Sequence, residues 1–277
     1  MFELISLPLF AGFLLVSIHS YLGIHIVERK VIFVDLALAQ IAAAGAGVGV
    51  LMGYELGGIE TFLTALFFTF IGAAIFSFTR VKNEVVPQEA IIGIVYAVSA
   101  AIFILLMDTA PNGAEEVKGM LVGYILLISW DDILRIIPLY LLVGIFHFIV
   151  RKKMIFISQD PEGAFKKGIN LRLWDFLFYI SFGVVVTTAV QIAGVLLVFA
   201  YLIVPAVSAI LFTKNFRKRL IIGWSLGLLG NFLGMYFSVQ FDLPTGAAIV
   251  TTFGLIIAVA GLVKYIYSKF FMQQTES

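Results

Sequence analysis

Cysteine is absent from this sequence of 277 residues. Disulfides, thiolate metal ligands and a cysteine nucleophile are therefore excluded, and the redox state of the compartment stays open. Charged residues are also scarce, at 13% of the chain, whereas 61% of the residues are hydrophobic and the mean hydropathy is +1.07. Soluble domains have about a quarter charged and about half apolar residues. The composition therefore predicts a polytopic membrane protein.

Sequence motifs for nucleotide hydrolysis and for catalysis are missing too. The chain has no GxxxxGK[ST] phosphate-binding loop, so it carries no ATPase module of its own. It has no HExxH helix, catalytic triad or carboxylate dyad, which argues against an intramembrane enzyme and leaves no catalytic residue to predict. The N-terminus, MFELISLPLF, lacks the basic region of a signal peptide, so we expect it to be retained as part of the first span.

Apolar segments long enough to cross a bilayer, about 20 residues each, occur nine times. A further apolar run at residues 117–129 has only 13 residues, and we predict a re-entrant half-helix at about 117–130. The sequence thus predicts an all-α polytopic membrane protein, a single transmembrane domain over residues 1–277. The nine predicted spans cover about residues 4–27, 31–54, 60–79, 89–107, 133–150, 173–192, 194–212, 220–239 and 247–267.

The distribution of basic residues predicts how these spans are oriented. Of the 18 Lys and Arg residues, all but Lys118 and Arg135 fall on one side of the membrane if the spans alternate. The positive-inside rule makes that side cytoplasmic, with the N-terminus outside and the C-terminus inside. The predicted outer loops carry mostly acids, a surplus that would steer cations but that also follows from the ordinary lack of bases there. These acids are Glu55, Glu60, Asp108, Glu115, Glu116, Asp131, Asp132 and Asp242.

The longest polar interval, residues 151–172, lies between the fifth and sixth predicted spans, on the cytoplasmic side. Its centre has the signals of a short capped helix. Asp160 can accept from the free amides of the first turn, Pro161 suits the first helical position, and Gly168 supplies a stop with positive φ. Two interpretations are open: a solvated connecting loop, or a docking element for a soluble partner.

Ionisable residues within a span are costly, and each is a functional candidate. Asp35 lies about one turn inside the second span, where it either lines a cation path or pairs with Arg29 or Lys30 at the membrane surface. Gln40 lies deeper, about 140° around the helix from Asp35, so the two cannot share one ligand face. A lone glutamine more often bonds a neighbouring helix than a ligand. Glu89 begins the fourth span, where the helix dipole favours a carboxylate.

The other polar residues of the spans are interpreted as structural. No pair of histidines has the i, i+4 spacing of a metal site, and single amides more often bridge helices than bind ligands. These residues are His19, His25, His147, Gln191 and Asn231.

Several segments resemble the permease subunits of zinc- and manganese-type ATP-binding-cassette importers. QIAGVLLVFAYLIVPA (residues 191–206) is similar to a signature of that family, and FDLPTG (241–246) to its late Leu-Pro-x-Gly turn. Residues 160–168 resemble the cytoplasmic element by which such permeases seat on their ATPase. In the first half, GIHIVERKVIFV (23–34), EAIIGI (89–94) and GMLVGYIL (119–126) also fit. The match covers nearly the whole chain.

The resemblance implies a homodimeric permease in the cytoplasmic (inner) membrane of the cell, among lipid and without nucleic acid. Its partners would be a cytoplasmic ATP-binding-cassette ATPase, through which alone ATP acts, and an extracytoplasmic substrate-binding protein. The implied cargo is a divalent metal (zinc, manganese or iron), and no covalently bound cofactor is implied. The residues assigned to coupling are Asp160, Glu162, Ala164 and Gly168, with Ala164 at the closest approach to the ATPase. Those assigned to the transport pathway are Asp35, Gln40 and Glu89.

One departure from the family pattern concerns the second span. The family usually reads Gly-Asp-Ala-Leu-Ser-His there, with Asp and His on one helical face, whereas this chain reads DLALAQ from Asp35 to Gln40. A glutamine oxygen is a poor zinc ligand but is tolerable for harder ions. The departure favours, as an alternative, an organic or chelated substrate. A proton-coupled secondary transporter with Asp35 as carrier stays open, though no clear internal repeat supports it. A non-transporting scaffold would leave residues 160–168 unexplained.

Overall fold

The computed structural model describes residues 2–55, 57–79, 86–110 and 113–275, and over these residues the chain is helical with no strand. Arg80, Lys82 and Asn112, and the side chain of Glu116, lie outside the described part. Eight helices are long and apolar enough to cross a membrane. The helices are α1 (Phe2–Arg29), α2 (Val34–Leu51), α3 (Ile59–Thr79), α4 (Gln88–Asp108), α5 (Gly113–Val122), α6 (Trp130–Gln159), α7 (Pro161–Lys166), α8 (Leu171–Phe212), α9 (Phe216–Phe241) and α10 (Thr245–Thr275).

The α8 helix is a hairpin of two spans. A straight helix of its 42 residues would be about 63 Å long, twice the hydrocarbon core. Its two ends are nevertheless held by consecutive residues of α1. Arg29 pairs with Asp175 near the start of α8, and Glu28 pairs with Arg219, which also donates to the Thr213 carbonyl just past its end. The chain reverses at residue 194, so the nine predicted crossings are confirmed.

The reversal occurs at Gly194, the one residue inside α8 with non-helical angles (φ 73°, ψ 160°). We call the segments on either side α8a (residues 171–193) and α8b (residues 195–212). A positive φ of this size is free for glycine and strained for other residues. Both segments are apolar and largely buried, and the helices α1, α3, α9 and α10 pack around them. The hairpin therefore forms the centre of the molecule.

The bundle has two chemically different ends. The end where Glu28 and Arg29 meet the ends of α8 also carries α7 and the basic residues of the 151–172 interval; we call it the basic end. The opposite end, with the α8 reversal and the turn between α9 and α10, we call the acidic end. These names describe only the chemistry of the two ends.

The predicted re-entrant segment is confirmed at the acidic end. The α5 helix stops at Val122, and a 3₁₀ turn follows at Ile125–Leu127, so no helix here is long enough to cross. Between them Gly123 has φ +73° and lies against the backbone of Gly194, so closely that a Cβ on either glycine would collide with the other segment. The Tyr124 amide donates to the Ile192 carbonyl at 3.1 Å. The re-entrant break is thus fixed to the α8 reversal.

The fifth span differs from the prediction in its length. The sequence analysis ends it at residue 150 and begins a polar loop there, but α6 continues through residues 151–159 without a break. The basic side chains of this extension lie on an exposed face, while Met154, Ile157 and Ser158 on the other face are buried against the bundle. An amphipathic helix end of this kind has too many charges to be recognised as part of a span by hydropathy.

The hairpin in α8 can be tested by cysteine labelling, because the chain has no native cysteine. Arg172 and Lys214 are exposed near the two ends of α8, and Leu243 is exposed at the acidic end. We expect Arg172→Cys and Lys214→Cys to react with an impermeant thiol reagent from the same side of sealed vesicles, and Leu243→Cys from the other. Reaction of the first two from opposite sides would mean that α8 crosses once.

Candidate functional site

The short helix α7 stands at the basic end, and its capping agrees with the sequence prediction. Asp160 Oδ1 accepts from the Gly163 amide at 2.8 Å, and Pro161 occupies the first turn. Gly168 follows the helix with φ +74°, and the Ile169 amide donates to the Ala164 carbonyl at 3.1 Å. Both ends of the helix are thus closed by local bonds, and the chain enters α8 directly afterwards.

The orientation of α7 requires a correction to the predicted role of Ala164. The sequence analysis puts this side chain at the closest approach to a partner, but it is 0% exposed within this chain, packed against the bundle. The outward face is formed instead by the exposed Glu162, Phe165 and Lys166, with Phe165 51% exposed. A small residue at position 164 therefore lets α7 lie close to its own bundle and presents the opposite face outward.

Below α7, a buried arginine joins three helices. Arg29 on α1 pairs with Asp175 on α8a, and its Nε donates to Ser158 Oγ on α6 at 3.0 Å. Its guanidinium lies 4.1 Å from the centre of the Phe178 ring, and Nη2 is 3.9 Å from Met154 Sδ. Because Ser158 lies two residues before the Asp160 cap of α7, Arg29 holds the root of α7 to α1 and α8a.

A chain of polar contacts extends this cluster into the bundle. His25 Nδ1 lies 2.8 Å from Ser158 Oγ, so Ser158 contacts both His25 and Arg29. About three turns before Ser158 on α6, His147 lies 2.8 Å from Ser181 Oγ on α8a and 3.2 Å from the Tyr21 hydroxyl on α1. We name the set of Arg29, Asp175, Ser158, His25 and His147 the polar hub.

The histidines of the hub serve as interhelical hydrogen-bonding groups, as their spacing predicts. His19 differs, since its Nδ1 contacts the Leu15 carbonyl of its own helix at 2.7 Å. Across the described residues, no group of three His, Asp, Glu or Cys side chains is placed to hold a metal ion. In the same way Asn231 bridges helices: its Oδ1 accepts from the Tyr201 hydroxyl at 2.5 Å.

Two members of the hub, Ser158 and Asp175, are not identified from the sequence, and Asp175 is the charged one of the two. It lies only three residues after Arg172, so it looks like part of a polar boundary, yet its side chain is fully buried. Its partner Arg29 is 146 positions away in the sequence. The sequence does contain one signal for this pair: an acid just inside one predicted span and a base at the end of another lie on the same side of the membrane.

Asp35 is deeply buried, with 1% exposure, in the first turn of α2. Its Oδ1 has no hydrogen-bond partner, and no ion pair involves it among the described residues. The proposed partner Arg29 is engaged with Asp175 instead, so this version of the surface-pair interpretation is wrong. The helix dipole favours a carboxylate at this position.

The three predicted pathway residues do not form one ligand cluster. Gln40 lines a cavity of about 210 Å³ between α2, α4 and α5, together with Tyr96, Phe103 and Met120. Glu89, by contrast, accepts from the Ile32 amide at 2.5 Å and so ties the start of α4 to the segment that precedes α2. Gln40 is five residues further along α2 than Asp35, about 7.5 Å along the helix axis.

Small residues let α2 approach its neighbours closely. A Cβ on Gly45 would lie 2.9 Å from Ala65 Cα, and one on Gly49 would lie 2.6 Å from Thr64 Oγ1. With 14 of its 18 residues buried, α2 is the most enclosed of the eight long apolar helices. Asp35 and Gln40 thus stand on an element whose backbone has little room to move.

Comparisons with known proteins agree with this architecture. The manganese transport system membrane protein MntC of Listeria innocua is 27% identical over 245 residues, which cover 88% of this chain and 85% of that protein. The chelated iron transport system membrane protein YfeC of Yersinia pestis is 28% identical over 204 residues, covering 73% and 68%. A solved structure of PsaBC from Streptococcus pneumoniae, in complex with Fab, has the same fold, with a TM-score of 0.79 at 21% identity over 94% of this chain and 91% of that one.

The profile of the ABC 3 transport family matches residues 1–264. The resemblance to permease subunits of metal-type ATP-binding-cassette importers is thereby confirmed, and the scaffold and proton-coupled interpretations are set aside. The chain belongs to the ABC 3 transport family.

Proposed function

We propose that the chain works as a homodimer that imports a divalent metal ion, with ATP hydrolysed by a separate ATPase subunit seated on each copy. An extracytoplasmic binding protein would deliver the metal to the acidic end. The observation that carries this proposal is α7: a short, capped helix whose root is held by the polar hub and whose other face is exposed. A helix held in this way can transmit force between a soluble subunit and the spans.

In this proposal the basic end faces the cytoplasm. All the described Lys and Arg residues except Lys118 and Arg135 belong to that end, which is the side the positive-inside rule makes cytoplasmic. The N-terminus then lies outside and the C-terminus inside. The cysteine variants described above also test this point. In intact cells the Leu243→Cys variant should be labelled, and the Arg172→Cys and Lys214→Cys variants only after the membrane is opened.

The ATPase is proposed to bind the exposed face of α7. Phe165 stands between the charged Glu162 and Lys166 on this face, and an exposed aromatic residue flanked by charges is typical of an interface anchor. Asp160 and Gly168 shape the helix through its two caps, and Ala164 sets its distance from the bundle. Of the four predicted coupling residues, Ala164 alone is buried, and Glu162 lies on the face proposed to touch the partner.

The first prediction for the proposed function concerns this anchor. Phe165→Ala is expected to weaken association with the ATPase by roughly thirtyfold, which corresponds to about 2 kcal/mol for an interface hot spot. The measurement is co-purification of the two subunits, followed by a titration. Phe241→Ala is the matched control, because Phe241 is 64% exposed at the other end of the bundle. Equal binding by both variants would exclude α7 as the docking helix.

The polar hub is proposed to carry movement of α7 into the bundle. Arg29 contacts α6 through Ser158 and α8a through Asp175, so it spans the two helices that α7 connects. A buried ion pair adds little net stability, but it fixes the relative position of the groups it joins. We infer that α6 and α8a respond together to the ATPase because of this pair.

The second prediction separates transmission from stability. Asp175→Asn alone leaves Arg29 buried without its counter-charge and should lower stability by about 3–5 kcal/mol. The double variant Arg29→Met and Asp175→Leu removes both charges, so it should fold and bind the ATPase while moving several-fold less metal per ATP hydrolysed. Glu28→Gln is the control, because Glu28 pairs with Arg219 and does not contact α6. If the double variant transports a normal amount of metal per ATP, the Arg29–Asp175 pair has a structural role and does not transmit movement.

The cargo is proposed from the relatives together with the residues of α2. Relatives are named for manganese and for chelated iron, and these ions accept oxygen ligands more readily than zinc does. Asp35 offers a buried carboxylate oxygen without a partner, and Gln40 offers an amide in a cavity nearby. Glu89 would contribute by fixing the segment just before Asp35.

The third prediction concerns Asp35. If it lines the path, Asp35→Asn should lower manganese uptake by at least about tenfold, the equivalent of roughly 1.4 kcal/mol, with expression and ATPase association unchanged. Asp108→Asn is the control, since Asp108 is an exposed acid at the end of α4. If the Asp35→Asn variant takes up as much manganese as the control, Asp35 does not line the path and only stabilises the first turn of α2.

A chelated metal is the second candidate cargo. It is favoured by the cavity beside Gln40, which at about 210 Å³ is larger than a bare ion needs and is lined mostly by apolar and aromatic side chains. Competition distinguishes the two cargoes: excess manganese should block uptake of radiolabelled metal if the free ion is carried, and a preformed iron chelate should block it if the chelate is carried.

A further inference from the structure

A deep groove opens on the side of the bundle near the acidic end. It has a volume of about 590 Å³ and lies between the start of α3 and the first turns of α6, with α8a as its floor. Its walls are mostly apolar, with Phe62, Ile136 and Leu139 among them, and Tyr124 and Leu127 of the re-entrant segment form its upper rim. None of the three predicted pathway residues lines it.

The groove follows from how the helices pack. The α3 and α6 helices both lie against α8 but hardly touch each other, so a gap is left between them. From Asp132 to Leu139 the groove runs about 10 Å along α6, which is within the half-thickness of about 15 Å of a hydrocarbon core. In a bilayer, an apolar gap at this depth would contact the lipid of one leaflet.

The charges of the groove differ from those of the surrounding surface. Asp132 is committed to its own helix: it forms a capping box with Ser129, accepting from the Ser129 amide at 2.9 Å and hydroxyl at 2.7 Å. Arg135, one turn further on, is exposed, and no hydrogen bond or ion pair to another described residue engages it. Gln191 on the floor likewise has no hydrogen bond to the part of the chain that the structure describes.

We propose that this groove binds a phospholipid with an anionic headgroup, its phosphate at Arg135 and one acyl chain in the apolar part below. An arginine near the end of a span extends toward the headgroups, where its planar guanidinium matches the oxygens of a phosphate. The Gln191 amide provides a second donor beside the glycerol region. The proposal is independent of the metal cargo and of ATPase docking.

Two other occupants fit the groove less well. A bare metal cation would meet the positive charge of Arg135 and a single carboxylate, Asp132, whose Oδ2 already accepts two hydrogen bonds from Ser129. A second copy of the chain would have to fill a narrow gap between two helices with a protruding side chain opposite Arg135. A lipid is already present at this depth in the membrane.

The experiment compares lipids bound to the purified full-length chain by native mass spectrometry. The probes are phosphatidylglycerol and phosphatidylcholine with identical acyl chains, supplied at equal concentration. The wild type should retain more phosphatidylglycerol, and Arg135→Gln should reduce that preference by about fivefold, the effect of one basic residue near a membrane surface. Arg135→Lys, which keeps the charge, should retain most of the preference.

The matched control is Lys118→Gln, because Lys118 is the other base of the acidic end, exposed on α5 and away from the groove. This variant should keep the wild-type lipid ratio. An unchanged ratio in Arg135→Gln, or an equal loss in Lys118→Gln, overturns the proposal. The same spectra report dimer and monomer: a shift of that equilibrium by Arg135→Gln without a change in lipid ratio would make the groove a protein interface and also overturn it.

Discussion

Two consecutive charged residues at the end of α1 hold the whole helix arrangement in register. Arg29 binds the start of the α8 hairpin through Asp175, and Glu28 binds the segment after its end through Arg219. In a bilayer the hydrophobic effect does little to choose between one apolar packing and another, so small close contacts and buried polar bonds decide which helices meet. The central hairpin is therefore defined at its basic end by charge and at its reversal by two glycines, Gly123 and Gly194.

Much of this fold can be predicted from the sequence because the relevant signals are local. Span number follows from the length of apolar segments, and the reversal in α8 follows from a glycine between two segments of span length. The α7 helix follows from three neighbouring residues, Asp160, Pro161 and Gly168, whose capping preferences need no tertiary information. The basic residues also predict an orientation, from their distribution over the whole chain. Except for the orientation, the evidence in each case lies within one segment of the chain.

The candidate site is less accessible from the sequence because its parts are distant along the chain. The role of Asp175 can be recognised only once its pairing with Arg29 is known. The inward position of Ala164 depends on how α7 lies against the bundle. The groove at Arg135 depends on two helices that fail to touch. Periodicity is also weak in helices that are apolar all round, so it does not tell which face of α2 or α6 is buried. Side-chain direction is the quantity that the sequence leaves open.

The α6 helix connects the two surfaces that are open to outside molecules. At about 45 Å it passes through the whole bilayer, with the groove of Arg135 at one end and Ser158, beside the root of α7, at the other. Only 28% of its most apolar stretch is buried within this chain, the lowest share after α4. The polar hub holds its second half through His147 and Ser158, and the groove lies beside its first turns. A lipid in the groove would therefore restrain the same helix that the hub joins to α7.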